Sequence, residues 1–345
     1  MLRRALVVVA TLSCLVGILP AAATAHGRAG VVSERMLSDR LMELVVHSDA
    51  LHADVGVRLL LPKDWHAKPG KKWPTLYLLH GCCTVQDGHV EWTTYSDVAE
   101  YTANLDALIV MPEGGDVGFY SDWLSGPAWE TFHLTELRRL LERQYRSGED
   151  RAIAGLSMGG FGALSYAARN PGMFKAAASY SGLVHTTHQG LATATGIQGL
   201  VASYGEDPTA LWGDPVTQAS TWAAHNPYDL ARRLRGLPVF LSTGNGEPGP
   251  LDPPGSAPDV REQVLGGQSV ALAERLEAVG AKKVTTCFYG AGTHTWPYWE
   301  RELHRSLPML MRAIGVRFVA PTAAPRAADC TGQLSQNDPN MSFRG

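Results

Sequence analysis

The sequence predicts an α/β fold: a mostly parallel central sheet with helices on both faces. Three observations carry that expectation. Short runs of consecutive apolar residues recur along the chain, helical patterns separate them, and one run turns through a glycine-flanked serine straight into a helix. Continuous apolar strands belong in a sheet covered on both faces, and strand–helix alternation is what parallel pairing needs.

Taken in order, the chain opens with Arg3 and Arg4, an apolar run over residues 5–19, and small residues ending Ala23-Thr24-Ala25. This is the pattern of a secretory signal over residues 1–25, and the run is shorter than the roughly 20 residues a spanning helix needs. The mature chain is expected to be secreted or associated with the cell envelope, with no integral membrane segment. Residues 44–48 and 57–62 are apolar runs separated by the polar link Asp49-Ala50-Leu51-His52, an antiparallel start. The parallel part follows in runs at 75–81, 106–114, 151–157, 176–182, 238–246 and 283–292, with helical patterns at 131–145, 160–169 and 268–279. From residue 320 periodicity disappears, so a catalytic domain over 26–318 and a C-terminal tail over 319–345, flexible unless Cys330 pins it, are expected.

At 345 residues, 45% hydrophobic and 18% charged, the composition is that of a folded globular protein, and a formal charge of −3 excludes the electrostatic footprint of a nucleic-acid binder. Export permits disulfides, and Cys82 or Cys83 with Cys287 or Cys330 are the pairings considered. No Cys-x-x-Cys or His-x-x-x-His spacing suggests a metal, and no cofactor is expected.

The chemistry centres on Gly155-Leu156-Ser157-Met158-Gly159, between the strand at 151–154 and a helical pattern stopped by Asn170-Pro171. A serine on so sharp a turn has strained dihedrals, and side chains at its glycine flanks would collide with the neighbouring strand or helix. The Met158 N–H and the helix start then face the hydroxyl as oxyanion donors. A serine needs a base to attack. Of the twelve histidines, His294 lies in the glycine-rich loop Gly290-Ala291-Gly292-Thr293-His294 after the last apolar run. The order serine, acid, histidine is that of the α/β-hydrolase fold, so the acid lies between them, with Glu247, Asp252, Asp259 and Glu262 all qualifying. The loop His80-Gly81-Cys82-Cys83 occupies the place of a second oxyanion donor, with the Cys82 N–H as candidate. Asp122, Trp123 and Trp296, with Trp299, are candidates to line an acyl or aromatic pocket; buried core tryptophans are the alternative.

The segments LYLLHGCC, MPEGGDVGFYSDW, WETFHLTEL, IAGLSMGGFGALSYAARNP, FKAAASYSGL, NPYDLARRL, STGNGEP and GTHTWPYWERELH resemble the esterase family that contains esterase D and the antigen 85 mycolyltransferases. The resemblance implies that the acid is a glutamate a few residues before the helix after the GNG segment, which selects Glu262 over Asp259 and Asp252. It also implies a trehalose site built on an aspartate and an arginine where this chain has His80 and Cys83, so trehalose is not the expected acceptor. The function expected is a serine esterase acting on ester, lipid or glycolipid substrates. An acyltransferase to a sugar or lipid hydroxyl is the alternative, and a non-catalytic adhesion protein the rival from another class.

Overall fold

The computed structural model describes residues 29–83 and 87–321, so the expected leader and nearly all of the expected tail lie outside the described residues. Among the described residues nine strands form one sheet: β1 (Gly30–Met36), β2 (Leu41–Ser48), β3 (Ala53–Leu60), β4 (Trp73–Leu79), β5 (Leu108–Pro112), β6 (Ser147–Leu156), β7 (Ala176–Tyr180), β8 (Val239–Thr243) and β9 (Val284–Phe288). Their spatial order is β1-β2-β3-β5-β4-β6-β7-β8-β9. Pairs from β1 to β5 through β3 are antiparallel, and β5-β4-β6-β7-β8-β9 are parallel. The fold is that of the α/β-hydrolases.

Each central strand feeds two cores because successive side chains leave opposite faces. Tyr77, Val110, Ile153 and Leu241 join one cluster, packed under helices that carry Phe132, Leu164 and Leu272. Their neighbours Leu76, Ile109, Ala154 and Phe240 join the other, with Trp92, Leu303 and Leu307. Both faces are dry, which is why the runs read as unbroken apolar stretches.

The structure departs from the sequence reading in three places. β1 has no apolar run: it is an edge strand paired only with β2, almost wholly exposed, and carries the charged pair Arg35–Glu43 across to its neighbour at 2.8 Å. Charge on an edge discourages further strand pairing, and it hides the strand from a hydrophobic pattern. The helix expected at 268–279 begins eight residues earlier and runs Val260–Ala278. Asp259 caps it by accepting from the N–H groups of Arg261 and Glu262, while Gly266 and Gly267 interrupt the pattern that would have revealed it. Gly266 is there for a close approach, since a Cβ would lie 2.8 Å from the Gly244 carbonyl oxygen.

The third departure concerns the cysteines. Cys82 and Cys83 are free thiols, and Cys287 is disulfide-bonded, so neither of the pair is its partner. Sheet order explains this. Cys82 follows β4 and Cys287 lies in β9, four strand steps away. At the usual spacing that is about 19 Å, far beyond the roughly 7 Å limit between bridged Cα atoms.

Buried histidines set an acid limit on the fold. His133 donates from Nε2 to the Glu113 carbonyl oxygen at 2.7 Å and accepts from the Tyr166 hydroxyl at Nδ1, 2.9 Å away. Desolvation pushes its pKa down to about 4, and His225 is lowered to about 4 for the same leading reason. Below the unfolded value near 6.5 the unfolded chain takes up protons that the folded one refuses, so stability is full above pH 6.5 and falls as pH drops toward 4. His133 alone is worth about 3 kcal/mol over that window. Denaturant midpoints measured from pH 7 to 4 should fall steeply, and His133→Gln should flatten the slope; an unchanged slope would remove His133 as a cause.

Candidate active site

The chain reverses direction across the sheet at β4: β5 lies on one side of it and β6 on the other. Crevices at such a reversal, beyond the carboxyl ends of the strands, are where open α/β sheets bind ligands. The loop His80-Gly81-Cys82-Cys83 leaves β4 here, and the turn at Ser157 leaves β6.

Ser157 joins β6 to the helix Met158–Arg169 with φ 53° and ψ −120°, a conformation that costs a non-glycine residue on the order of 1–3 kcal/mol. Its N–H donates to the Tyr180 carbonyl on β7 at 2.9 Å, which helps hold the strained turn. The flanking glycines permit the tightness. A Cβ on Gly155 would sit 2.3 Å from the Gly159 carbonyl oxygen, and one on Gly159 would sit 2.4 Å from that of His80. The second contact also presses the helix start against the end of β4.

His294 Nε2 lies 3.0 Å from Ser157 Oγ, and its Nδ1 lies 2.7 Å from Glu262 Oε2. A carboxylate only accepts, so Nδ1 carries the proton and Nε2 is left with a lone pair for the serine hydroxyl. All three residues are buried, Glu262 completely and Ser157 and His294 at 8% and 9% exposure, so the polar chain is shielded to its outer end. The other Glu262 oxygen, Oε1, accepts from the hydroxyls of Ser181 at 2.8 Å and Thr243 at 2.9 Å and from the Gly244 N–H at 2.7 Å. Ser181 follows β7 and Thr243 ends β8, so the cradle is built by strand ends next to the serine's own. Sequence reasoning passed over Ser181, Thr243 and Gly244; the one available signal was their place at strand termini.

The histidine loop is tied down on the same side. Asn245 N–H donates to Gly290 O at 2.8 Å, Gly246 N–H to Gly292 O at 3.1 Å and Gly292 N–H to Glu247 O at 2.6 Å. Asp252 accepts from the Thr293 hydroxyl, from the Tyr298 hydroxyl at 2.8 Å and from the Gly249 N–H at 2.7 Å. The other acids therefore have different employment: Asp252 anchors the loop, Asp259 caps the helix that carries Glu262, and Glu247 meets the loop through its backbone. Glu262 sits inside the first turn of that helix rather than before it. Trp299 packs its ring against His294, centroids 4.8 Å apart and nearly perpendicular.

A Cβ on Gly81 would come within 3.5 Å of Ser157 Cβ, so the loop that leaves β4 lies against the serine. Tyr120 braces this loop by donating to the His80 carbonyl at 2.9 Å. Met158 begins its helix, where N–H groups have no intrahelical acceptor.

The remaining predicted residues lie in varied settings. Asp122 spends both carboxylate oxygens on Thr131, at 2.8 Å from its N–H and 2.7 Å from its hydroxyl. Trp123 is buried and donates to Gly118 O at 3.0 Å. Trp296 is half-buried in an aromatic group with Trp92, Tyr95 and Trp299. Among the described residues no His/Cys/Asp/Glu group is arranged to hold a metal, and no helix is long and apolar enough to cross a membrane.

Comparison with known proteins gives a consistent picture. A family model described as "Putative esterase" matches residues 48–310. Esterase Rv1288 of Mycobacterium tuberculosis (strain ATCC 25618 / H37Rv) is 34% identical over 266 residues, covering 72% of this chain and 55% of that protein; the chain thus spans about half the length of that relative. The diacylglycerol acyltransferase/mycolyltransferase Ag85A of Mycobacterium leprae is 29% identical over 334 residues, 91% of this chain and 94% of that one. Among solved structures, Mycobacterium tuberculosis MPT51 (FbpC1) superposes with a TM-score of 0.64 at 25% identity, covering 79% of this chain and 97% of its own. An S-formylglutathione hydrolase from Agrobacterium tumefaciens reaches 0.63 at 16% identity, covering 83% and 99%, and shares the fold.

Proposed function

The chain belongs to the esterase family that this model describes, and from that premise we propose that it is an exported serine esterase working through Ser157, His294 and Glu262. One observation carries the reading: the unbroken buried line from Ser157 Oγ through the two His294 nitrogens to a carboxylate fully occupied on its far side.

In this mechanism His294 Nε2 takes the hydroxyl proton as Ser157 Oγ attacks the ester carbonyl. Glu262 orients the ring and stabilises the imidazolium. The N–H groups of Met158 and Cys82 receive the tetrahedral oxyanion, each worth on the order of 3 kcal/mol. His294 then returns the proton to the leaving alcohol, and water, activated by the same nitrogen, cleaves the acyl-enzyme. Because the strained serine backbone is held by folding, this alignment requires no reorganisation during reaction.

Hydrolysis is preferred to transfer because His80, at the place where the mycolyltransferase branch has its trehalose aspartate, is 1% exposed and committed to Gly81 O and Gly114 N–H, both at 2.7 Å. Acyl transfer to another hydroxyl is the second reading. It is favoured by the likeness to the acyltransferase Ag85A and by an open hollow of ≈ 480 Å³ beside the histidine loop, whose mixed lining includes Asp259, Arg261 and Thr293 together with Pro253, Pro258 and Val260. Incubation with p-nitrophenyl butyrate, with and without trehalose or a diacylglycerol, separates the two. Free butyrate as the sole acyl product is the expected result, and butyryl trehalose or a triacylglycerol would replace esterase by acyltransferase. No turnover and no fluorophosphonate labelling of Ser157 would leave the adhesion reading.

A further inference from the structure

The thiols of two adjacent cysteines on the loop after β4 take no part in the chemistry above, although the backbone N–H of one of them does. The Sγ atoms of Cys82 and Cys83 are 2.6 Å apart, both residues are half-buried, and Cys83 has φ 62°, unusual for a side chain of its size. A disulfide needs about 2.05 Å, so the sulfurs must close by about half an ångström, and because adjacent Cα atoms across a trans peptide are only about 3.8 Å apart, closer than bridged cysteines usually are, closure must also turn the peptide between them. The surroundings are also polarised. The two thiols share a hydrogen bond, the Tyr204 hydroxyl interacts with the Cys83 thiol, and the positive charge of Arg261, in the first turn of the Glu262 helix, acts on both. Together these outweigh burial and bring the Cys83 thiol down to about 7, while its hydrogen bond to Cys83 and burial raise that of Cys82. The two thiols therefore differ in role: Cys83 is the attacking sulfur and Cys82 the resolving one.

We propose that Cys82 and Cys83 are a modification site for low-molecular-weight disulfides, and that closing the bond between them suppresses ester turnover. This rests on the oxyanion role proposed for the Cys82 N–H. Cys83 thiolate attacks one sulfur of the small disulfide RSSR, forming Cys83–S–S–R and releasing RS⁻. Cys82 loses its proton to solvent and attacks the Cys83 sulfur, the mixed disulfide breaks, and a second RS⁻ leaves. Two protein thiols are oxidised, and one RSSR is reduced to two RSH. The resulting ring contains the Cys82–Cys83 peptide, whose N–H now donates to Asp116 O at 3.1 Å. Ring closure turns that peptide and carries the preceding Gly81–Cys82 peptide with it. An oxyanion donor works over a window of distance only about 0.4 Å wide, so a small rotation removes it.

The test uses the protein reduced with a phosphine and then exposed to glutathione disulfide. The peptide holding both cysteines should lose about 2 Da, and kcat for p-nitrophenyl butyrate should fall about 10²- to 10³-fold, returning with dithiothreitol. Cys83→Ser should retain turnover and lose the response; a response that persists would trace to another cysteine and overturn the assignment. A stable glutathione adduct, an unreactive pair, or a closed disulfide with unchanged kcat would each overturn it too. Fluorophosphonate labelling of the reduced protein separates the two readings. Absent labelling sinks the esterase and the control of turnover with it, whereas normal labelling with no redox response sinks the redox pair alone.

Discussion

Ser157→Ala is expected to lower kcat/KM for a p-nitrophenyl ester by roughly 10⁵- to 10⁶-fold, the scale seen when a serine acting as one unit with its base is removed. The fold should remain, because alanine accepts the same backbone and the hydroxyl's one hydrogen-bond partner, His294, keeps Glu262. A companion variant gives the same residue a second signature. Ser157→Gly should be equally inactive yet more stable by about 1–3 kcal/mol, since φ 53° and ψ −120° strain any residue with a Cβ. Thermal midpoints and fluorophosphonate labelling read both effects. Substantial residual turnover in Ser157→Ala would end the case for this nucleophile.

Glu262→Gln has the next largest expected effect, a fall in kcat of about 10³- to 10⁴-fold. The amide has no orientation that suits the site. With its NH₂ toward His294 it drives the imidazole into the tautomer whose Nε2 cannot accept the serine proton. Turned the other way, it presents donors to the donors of Ser181, Thr243 and Gly244. Asp259→Asn should behave differently, losing less than about tenfold in kcat and up to about 1 kcal/mol, because asparagine also caps a helix. If Asp259→Asn proves the more damaging of the two, the acid has been assigned to the wrong carboxylate.

The contrast between those variants marks where the sequence stops being informative. The turn at Ser157 was legible because it is written in consecutive residues: the strand, the glycines that permit the turn and the helix it opens are all local. His294 was legible by order, a glycine-rich loop after the last apolar run. The central strands were legible because each is dry on both faces, and β1 was not because it is a wet, charged edge. Among the acids, spacing could only offer four, and the family resemblance was needed to choose one.

By itself the sequence determined the fold class, the serine turn and the histidine loop, since each depends on short-range sterics or on a burial period confined to a few residues. Only the tertiary structure decided which carboxylate faces His294. That depends on Ser181, Thr243 and Gly244 arriving from the ends of two other strands, and on Asp259 starting a helix eight residues before its apolar pattern shows. It decided the cysteines as well. Four strand steps part Cys82 from Cys287 in space, so Cys82 and Cys83 are left as neighbouring free thiols, because a disulfide forms between sulfurs that the fold brings together rather than between those that would complete an even count.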